Sequence, residues 1–246
     1  MSTANPINDQ MAEQLESQLE NWGPDFFWHR VRWKAVREQL PATGSFGLVD
    51  VGAGSGFVGE YLSRDRPSAA YSFIEPLPTL EKKLEARWGT EENLKEANNF
   101  GDSHFVCTLD VLEHIEDDEA FLSDLAQKMS PGDKLIILVP ALQSLWSDWD
   151  RKQGHFRRYD KGMIESLASG LPFKITEQAY LFPEMLPAAW LRKRRGNQGG
   201  ELVDPNNPPA ISSTLNRALF AVASASEAMK RFTPRGTSLM AVLEKS

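Results

Sequence analysis

The sequence is short of cysteine, of long apolar runs and of positive charge, and each shortage removes a class of function. It has one cysteine, Cys107, in 246 residues. A lone thiol cannot close an intrachain disulfide, so a disulfide-stapled secreted scaffold is excluded and a reducing, cytoplasmic setting is expected. Cys107 sits in FVCTL and reads as a buried small hydrophobe rather than a nucleophile. No apolar run reaches the roughly 20 residues a membrane-spanning helix requires. The opening stretch, MSTANPINDQMAEQLESQLE, is polar and acidic and lacks the profile of a signal peptide. Lys and Arg number 27 against 34 Asp and Glu, a net charge of −7. That balance argues against a general nucleic-acid binder, which needs a basic face. What remains, 41% hydrophobic and 25% charged, suits one soluble α/β domain with additions.

Along the chain, residues 9–20 pattern as a short amphipathic helix with Met11, Leu15 and Leu19 on one face. Asn21-Trp-Gly-Pro breaks it, and a second helix follows from Phe26 to Leu40. Strands are expected at 46–51, 70–76, 103–109 and 134–140, with helices between them. KLIILVP, 134–140, is continuous and β-branched, as a strand buried on both faces should be. A further strand belongs in 89–101, although GTEENLKEANNFG is polar there. The β-α alternation predicts a parallel sheet with helices on both faces. After Pro140 come a Trp- and Arg-rich stretch, a helix at 160–169, a strand at PFKITEQAYLF, a short helix in PEMLPAAWLRKRR and a loop at 196–210. A helix over 211–232 and a last strand, GTSLMAVLEK, close the chain.

The stretch LVDVGAGSGFVGEYL, 48–62, is a strand, a glycine-rich turn and a helix, the grammar that positions a cofactor in an open α/β sheet. It admits two registers. Gly54-Ser-Gly56-Phe-Val-Gly59 fits the dinucleotide pattern G-x-G-x-x-G, whereas Gly52-Ala-Gly54-Ser-Gly56 fits the G-x-G-x-G of S-adenosylmethionine (SAM) enzymes. Asp50 bears on the choice. A carboxylate at the strand tip suits a cofactor that carries an ammonium, which SAM does and NAD does not. A pyrophosphate, in contrast, wants a helix N-terminus free of acidic neighbours. Glu75, ending the second strand, suits the ribose hydroxyls of either cofactor.

LVDVGAGSG, then IEP, then LDVLEHI, then PGDKLIILVP occur in the order and at the spacings that resemble the class I SAM-dependent methyltransferases, over about residues 26–140. FFWHRVRWKAV and LWSDWDRKQGHFRRY further resemble a bacterial subgroup with an FW…R N-terminal helix and a GH-aromatic-RRY segment. The resemblance implies a three-layer αβα sandwich around a Rossmann-like, seven-stranded, mostly parallel sheet with an antiparallel last strand. It implies one domain over 1–246: a helical cap at 1–44, a SAM-binding half at 45–140 and an acceptor half at 141–246 with a lid around 184–210.

By that resemblance, Asp50 and the backbone of Gly52, Ala53, Gly54 and Gly56 hold the methionine part of SAM. Arg32 lies near its carboxylate, Glu75 takes the ribose diol, Pro76 flanks the adenine, and Asp110 and Val111 line the site. Asn98, with Asn99 and Asp102 as alternatives, is the candidate adenine contact.

For the chemistry, His114 and His155 are the candidate bases, both beyond the C-terminal edge of the sheet. His29 is expected at the surface of its helix or as a cap, and His104 in a structural role. No metal is expected in the main reading. The alternative set is Asp110, Glu113, His114 and His155, which resembles the divalent-metal ligands of certain RNA 2′-O-methyltransferases. Arg157, Arg158 and Tyr159, with Trp146, are the candidate acceptor contacts, because a guanidinium fork matches a carboxylate or phosphate. The other reading makes the arginines bridges to Asp148 and Asp150. Trp149 and Phe156 could wall the same pocket. Trp190-Leu-Arg-Lys-Arg-Arg195 could touch an anionic membrane surface beside a lipid-linked acceptor, or simply end a helix with cations.

The expected activity is methyl transfer from SAM to a small or carrier-linked acceptor that is acidic or phosphorylated, on oxygen first and nitrogen second. An NAD-dependent oxidoreductase and a non-catalytic SAM-fold subunit are the alternatives.

Overall fold

The computed structural model of the chain describes residues 22–196 and 211–246. The helix expected at 9–20, and all but Gly196 of the loop at 196–210, lie outside the described residues. The elements run α1 (Phe27–Arg37), β1 (Gly47–Val51), α2 (Phe57–Asp65), β2 (Ala70–Ile74), α3 (Pro78–Trp88), β3 (Phe105–Leu109), α4 (Asp118–Lys128) and β4 (Lys134–Pro140). Then come α5 (Asp148–Lys152), α6 (Lys161–Ser169), β5 (Phe173–Leu181), α7 (Leu186–Gly196), α8 (Ser213–Ala228) and β6 (Ser238–Lys245).

The strands form one sheet in the order β2-β1-β3-β4-β6-β5. β1, β2, β3 and β4 are parallel neighbours, while β6 runs antiparallel to both β4 and β5. Both faces are covered, and the period-2 geometry of a strand sorts its residues between them. Leu48, Cys107, Ile136 and Leu138 pack with Phe27, Val31 and Val36 of α1 and Leu62 of α2 on one face. Val49, Val51, Val106, Leu135, Ile137 and Val139 pack with Leu122 and Leu125 of α4 and Ile164 of α6 on the other. The three-layer sandwich with an antiparallel last strand is therefore present.

The strand number differs from expectation: among the described residues there are six strands, not seven. The segment 89–101 contributes only a parallel bridge between Phe73 and Asn93, with Leu94 N–H donating to Phe73 O at 2.8 Å. The polar sequence explains the loss. The Asn93 side chain donates to Glu81 and Glu85 at 2.9 and 3.0 Å, and glycines with positive φ, Gly89 and Gly101, turn the chain at either end. Leu94 is the one large apolar side chain between Trp88 and Phe100 available to hold an edge strand down.

β1 pairs with β2 on one side and β3 on the other. The chain thus leaves β1 in one direction and later returns on its far side. Such a reversal opens a crevice at the carboxyl ends of the two central strands, and there the glycine turn after Val51 and the Asp110 turn after Leu109 meet.

Candidate functional site

Gly52, Gly54 and Gly56 all have positive φ, at 75°, 55° and 74°. Only glycine adopts this run without strain. A Cβ on Gly52 would lie 2.4 Å from Val111 Cγ2, so the two turns pack without room for a methyl group, whereas a Cβ on Gly54 would meet nothing within 4 Å. The turn therefore closes against Val111 and opens at Gly54.

Four amides of the turn are already engaged. Gly52 and Ala53 N–H donate to Ile74 O at 2.8 and 3.1 Å, and Gly56 N–H to Ala53 O at 2.8 Å. Gly54 N–H donates to Glu75 Oε2 at 2.6 Å, and Leu77 N–H holds Glu75 Oε1 at 2.8 Å. Glu60 lies in the first turn of α2. A turn with four of its amides taken and two carboxylates beside it is a poor cradle for a pyrophosphate. It suits a cofactor without phosphate, so the geometry favours the G-x-G-x-G register.

Asp50 lies on the α1 side of β1 and is 2% exposed. Tyr71 Oη donates to its Oδ2 at 3.0 Å, and Cys107 Sγ, its register neighbour on β3, donates to Oδ1 at 3.4 Å. Burial, which outweighs these hydrogen bonds, pushes the Asp50 carboxyl up to about 6. Burial likewise raises Glu75. The carboxylates beneath the turn thus have hydroxyl, thiol and amide partners but no ion pair among the described residues.

Arg32 of α1 reaches across to Asp110, with Nη1 2.8 Å from Oδ2. Its Nε and Nη2 are buried and without a partner among the described residues. Asp110 itself holds a left-handed backbone at φ 57°, a strained conformation of the kind that collects at functional sites. Pro76 and Asn98 are exposed. No hydrogen bond ties Asn98 to the turn among the described residues.

Beyond Asp110, a short turn (Leu112–His114) buries Glu113 completely. Among the described residues, both Glu113 carboxylate oxygens lack a partner, as does His114 Nδ1. Burial, and then the like charge of Asp110, raise the Glu113 carboxyl well above the usual range. Burial, and then His155, lower His114 to about 4. The His114 and His155 rings meet edge to face with centroids 4.7 Å apart. The structure thus brings the two expected histidines together, although they are forty-one positions apart in sequence.

The segment carrying His155 extends the tip of β4. Tyr159 bridges Ala141, and Phe156 N–H donates to Glu113 O at 2.7 Å. Asp150 organises the segment from within: it accepts from Ser147 N–H at 2.9 Å, from Arg158 Nε at 2.7 Å, and from His155 Nδ1 at 3.3 Å. These partners hold the Asp150 carboxyl below its usual value despite burial.

The expected acceptor contacts are placed differently. Arg158 is buried between Asp150 and Ala141 O. Arg157 pairs with Asp118 at 2.5 Å and donates to Glu116 O at 2.6 Å. Tyr159 is fully buried and donates to Asp118 Oδ2 at 2.8 Å. All three hold the segment to the protein, and of the two acids named as bridges Asp150 serves while Asp148 pairs with Arg151. Trp146 and Trp149 are half-buried, and Phe156 is exposed.

Arg192 of α7 was read only as part of a cationic run. Its guanidinium lies 5.0 Å from the Trp149 ring centroid. Its Nε is buried without a partner, and it pairs with no carboxylate among the described residues. Burial, then Arg158, lower its pKa. Its signal in the sequence is its place, the first cation after the apolar turns of its helix. Trp190 and Leu191 are exposed, and no helix among the described residues is long and apolar enough to cross a membrane.

The other histidines are peripheral. His29 packs against Phe26 and Phe57 rather than standing free, and burial lowers it to about 3. His104 precedes β3 and contacts Asp133 at 3.5 Å.

The family model described as a methyltransferase domain matches residues 27–178. No curated protein matches the chain. Among solved structures, the chain is similar to the Haemonchus contortus phosphoethanolamine N-methyltransferase 2 in complex with S-adenosyl-L-methionine, with TM-score 0.59 and 14% identity. That match covers 94% of this chain and spans 56% of the nematode chain. A chain from the complex of the Haloferax volcanii Trm112 methyltransferase activator with a methyltransferase gives TM-score 0.63 at 11% identity, covering 99% of both. A SAM-dependent methyltransferase from Thermotoga maritima gives TM-score 0.61 at 15% identity, covering 96% of this chain and 99% of that one.

Proposed function

The chain belongs to the methyltransferase-domain family, and from that premise we propose that it transfers a methyl group from SAM to a small or carrier-linked acceptor bearing a carboxylate or phosphate. The observation that carries this reading is the glycine turn: four of its amides are engaged, its Gly54 face is open, and the carboxylates of Asp50 and Glu75 lie beside it with no ion pair among the described residues. SAM brings an ammonium, a carboxylate and a ribose diol but no phosphate. Asp50 would meet the ammonium electrostatically from beneath the turn. The unpartnered Nε and Nη2 of Arg32 would take the carboxylate. Glu75, with a second lone pair on each oxygen, would take the diol, and Val111 would wall the site. When bound, SAM supplies an activated methyl group on a sulfonium.

What is left to the protein is to orient the acceptor, exclude water and handle its proton. Glu113, His114 and His155 would face the acceptor's nucleophile. The buried polar atoms of Glu113 and His114, unpartnered among the described residues, support a hydroxyl acceptor, which needs activation, over a free amine, which does not. With Arg157 and Arg158 engaged internally, Arg192 is the arginine with donors to give to an acidic acceptor, and Trp149 stacks beneath it.

The test is release of S-adenosylhomocysteine in the presence of small carboxylated and phosphorylated alcohols. Turnover is expected with at least one of them. Arg192→Ala should raise the acceptor KM about 10–100-fold, the range for losing one charge-assisted contact, with little change in kcat. Turnover with amines alone would transfer the reading to N-methylation.

A further inference from the structure

The buried cluster beyond β3 offers more than a polar wall. Glu113, His114 and His155 each present one potential ligand atom, and these atoms lie within 4.8 Å of one another. Glu113 is fully buried, and neither of its oxygens has a hydrogen-bond partner among the described residues. A carboxylate taken out of water with nothing to pair with is costly, and ordinarily a proton or a cation completes it. The histidines show complementary preparation. His114 keeps Nδ1 buried and unpartnered. His155 turns Nδ1 toward Asp150 Oδ1 at 3.3 Å, which leaves Nε2 as its free nitrogen. Asp150 is in turn fixed by Ser147 and Arg158. A carboxylate that orients a histidine through its far nitrogen is the outer-shell arrangement of metal-binding imidazoles.

We propose that Glu113, His114 and His155 form a binding site for one divalent transition-metal ion of the zinc class. Two imidazoles and one carboxylate suit zinc and its neighbours better than magnesium, which prefers an all-oxygen, octahedral shell. Metal–nitrogen and metal–oxygen bonds of about 2.0–2.2 Å put neighbouring ligand atoms roughly 3–4 Å apart, so the cluster needs to contract only slightly. Asp110 is not a member of the set, because Arg32 already holds it at 2.8 Å. Arg32 and Arg158 are the cations that act on Glu113, and each is countered by its own carboxylate, Asp110 and Asp150. Glu113 is therefore the carboxylate of this group with no fixed cation. Three protein ligands leave a position open on the ion, on the side where the acceptor's nucleophile is placed in the reading above. The ion-binding claim stands without that reading; only the ion's use rests on it.

The test is calorimetric titration of the full chain, stripped of metal by a chelator, with Zn²⁺ and separately with Mg²⁺, in the absence of SAM. One Zn²⁺ should bind with a Kd of about 1 μM or tighter, and Mg²⁺ at least about a hundredfold more weakly. Glu113→Gln, His114→Ala and His155→Ala should each weaken Zn²⁺ by at least about tenfold. Titrating each variant with SAM separates a lost ligand from a lost fold, since none of the three belongs to the glycine turn. Co²⁺ gives a second readout: its visible absorption bands should change in all three variants. Failure to bind Zn²⁺ at about 1 mM overturns the proposal, and so does Zn²⁺ binding that survives all three substitutions. Neither result would touch SAM binding, so the metal site and the methyltransferase reading fail independently.

Discussion

Asp50 and Asp150 are two buried aspartates at the same edge of the sheet, and they are treated in opposite ways. Asp150, on the acceptor side, is paired with Arg158 and His155 and capped by Ser147, and its carboxyl is held below the usual value. Asp50, under the cofactor turn, has a phenol and a thiol for partners, and its carboxyl is pushed up to about 6. The acceptor-side segment supplies its own cations and is a finished scaffold. On the cofactor side Asp50 has no paired cation among the described residues, and in the proposed reading the ammonium of SAM supplies one. The same kind of residue at the same depth is thus paired with cations in one place and left without one in the other, a difference that the proposed reading assigns to cofactor binding.

Four changes would break or sharpen this contrast. The largest effect belongs to Arg158→Ala, which strands Asp150 in the core. Breaking a buried pair from one side costs about 3–5 kcal/mol, so thermal unfolding should drop by roughly 10 °C in a chain of this size. Next is Asp50→Asn, which keeps the hydrogen-bonded shape and removes the charge. It should leave thermal stability unchanged or raised, while SAM affinity falls about 10–100-fold by titration, as expected for losing a charged partner.

The third is a pH profile. The folded-state value of Asp50 is raised from 3.8 to about 6. The native state therefore binds more protons than the unfolded state between those values, and Asp50 makes stability fall as pH rises through that window. An ammonium prefers the ionised form. SAM affinity should accordingly hold above pH 6 and decline below it, by at most about tenfold per pH unit, with the decline absent in Asp50→Asn. The smallest effect is that of Arg157→Ala. Its pair with Asp118 is partly exposed, so chemical denaturation should register about 1 kcal/mol or less.

Much of the cofactor side was legible in the sequence because it is local. The strand, the three glycines and the helix occupy consecutive residues, and the positive φ angles at Gly52, Gly54 and Gly56 follow from the residue type. Glu75 was legible as an acid at a strand end, but not its two backbone amide partners. The acceptor side is a matter of pairing between distant residues. That Arg157 meets Asp118, and Tyr159 both Asp118 and Leu112 O, depends on how the 155–159 segment folds back beside β4. No spacing in the sequence encodes that. Arg192 was hidden for the same reason: its neighbours Trp149 and Arg158 come from other elements. The missing edge strand was half visible, since a polar stretch with a single large apolar residue had stood out where a strand was expected.

The most direct test of the central claim is isothermal titration of the intact chain with SAM, S-adenosylhomocysteine and NAD. The expected result is micromolar binding of the first two, lost in Glu75→Ala and weakened in Asp50→Asn, with no heat from NAD. Binding of NAD in place of SAM would contradict it, for the glycine turn would then be read in the other register and Asp50 would have no cation to wait for.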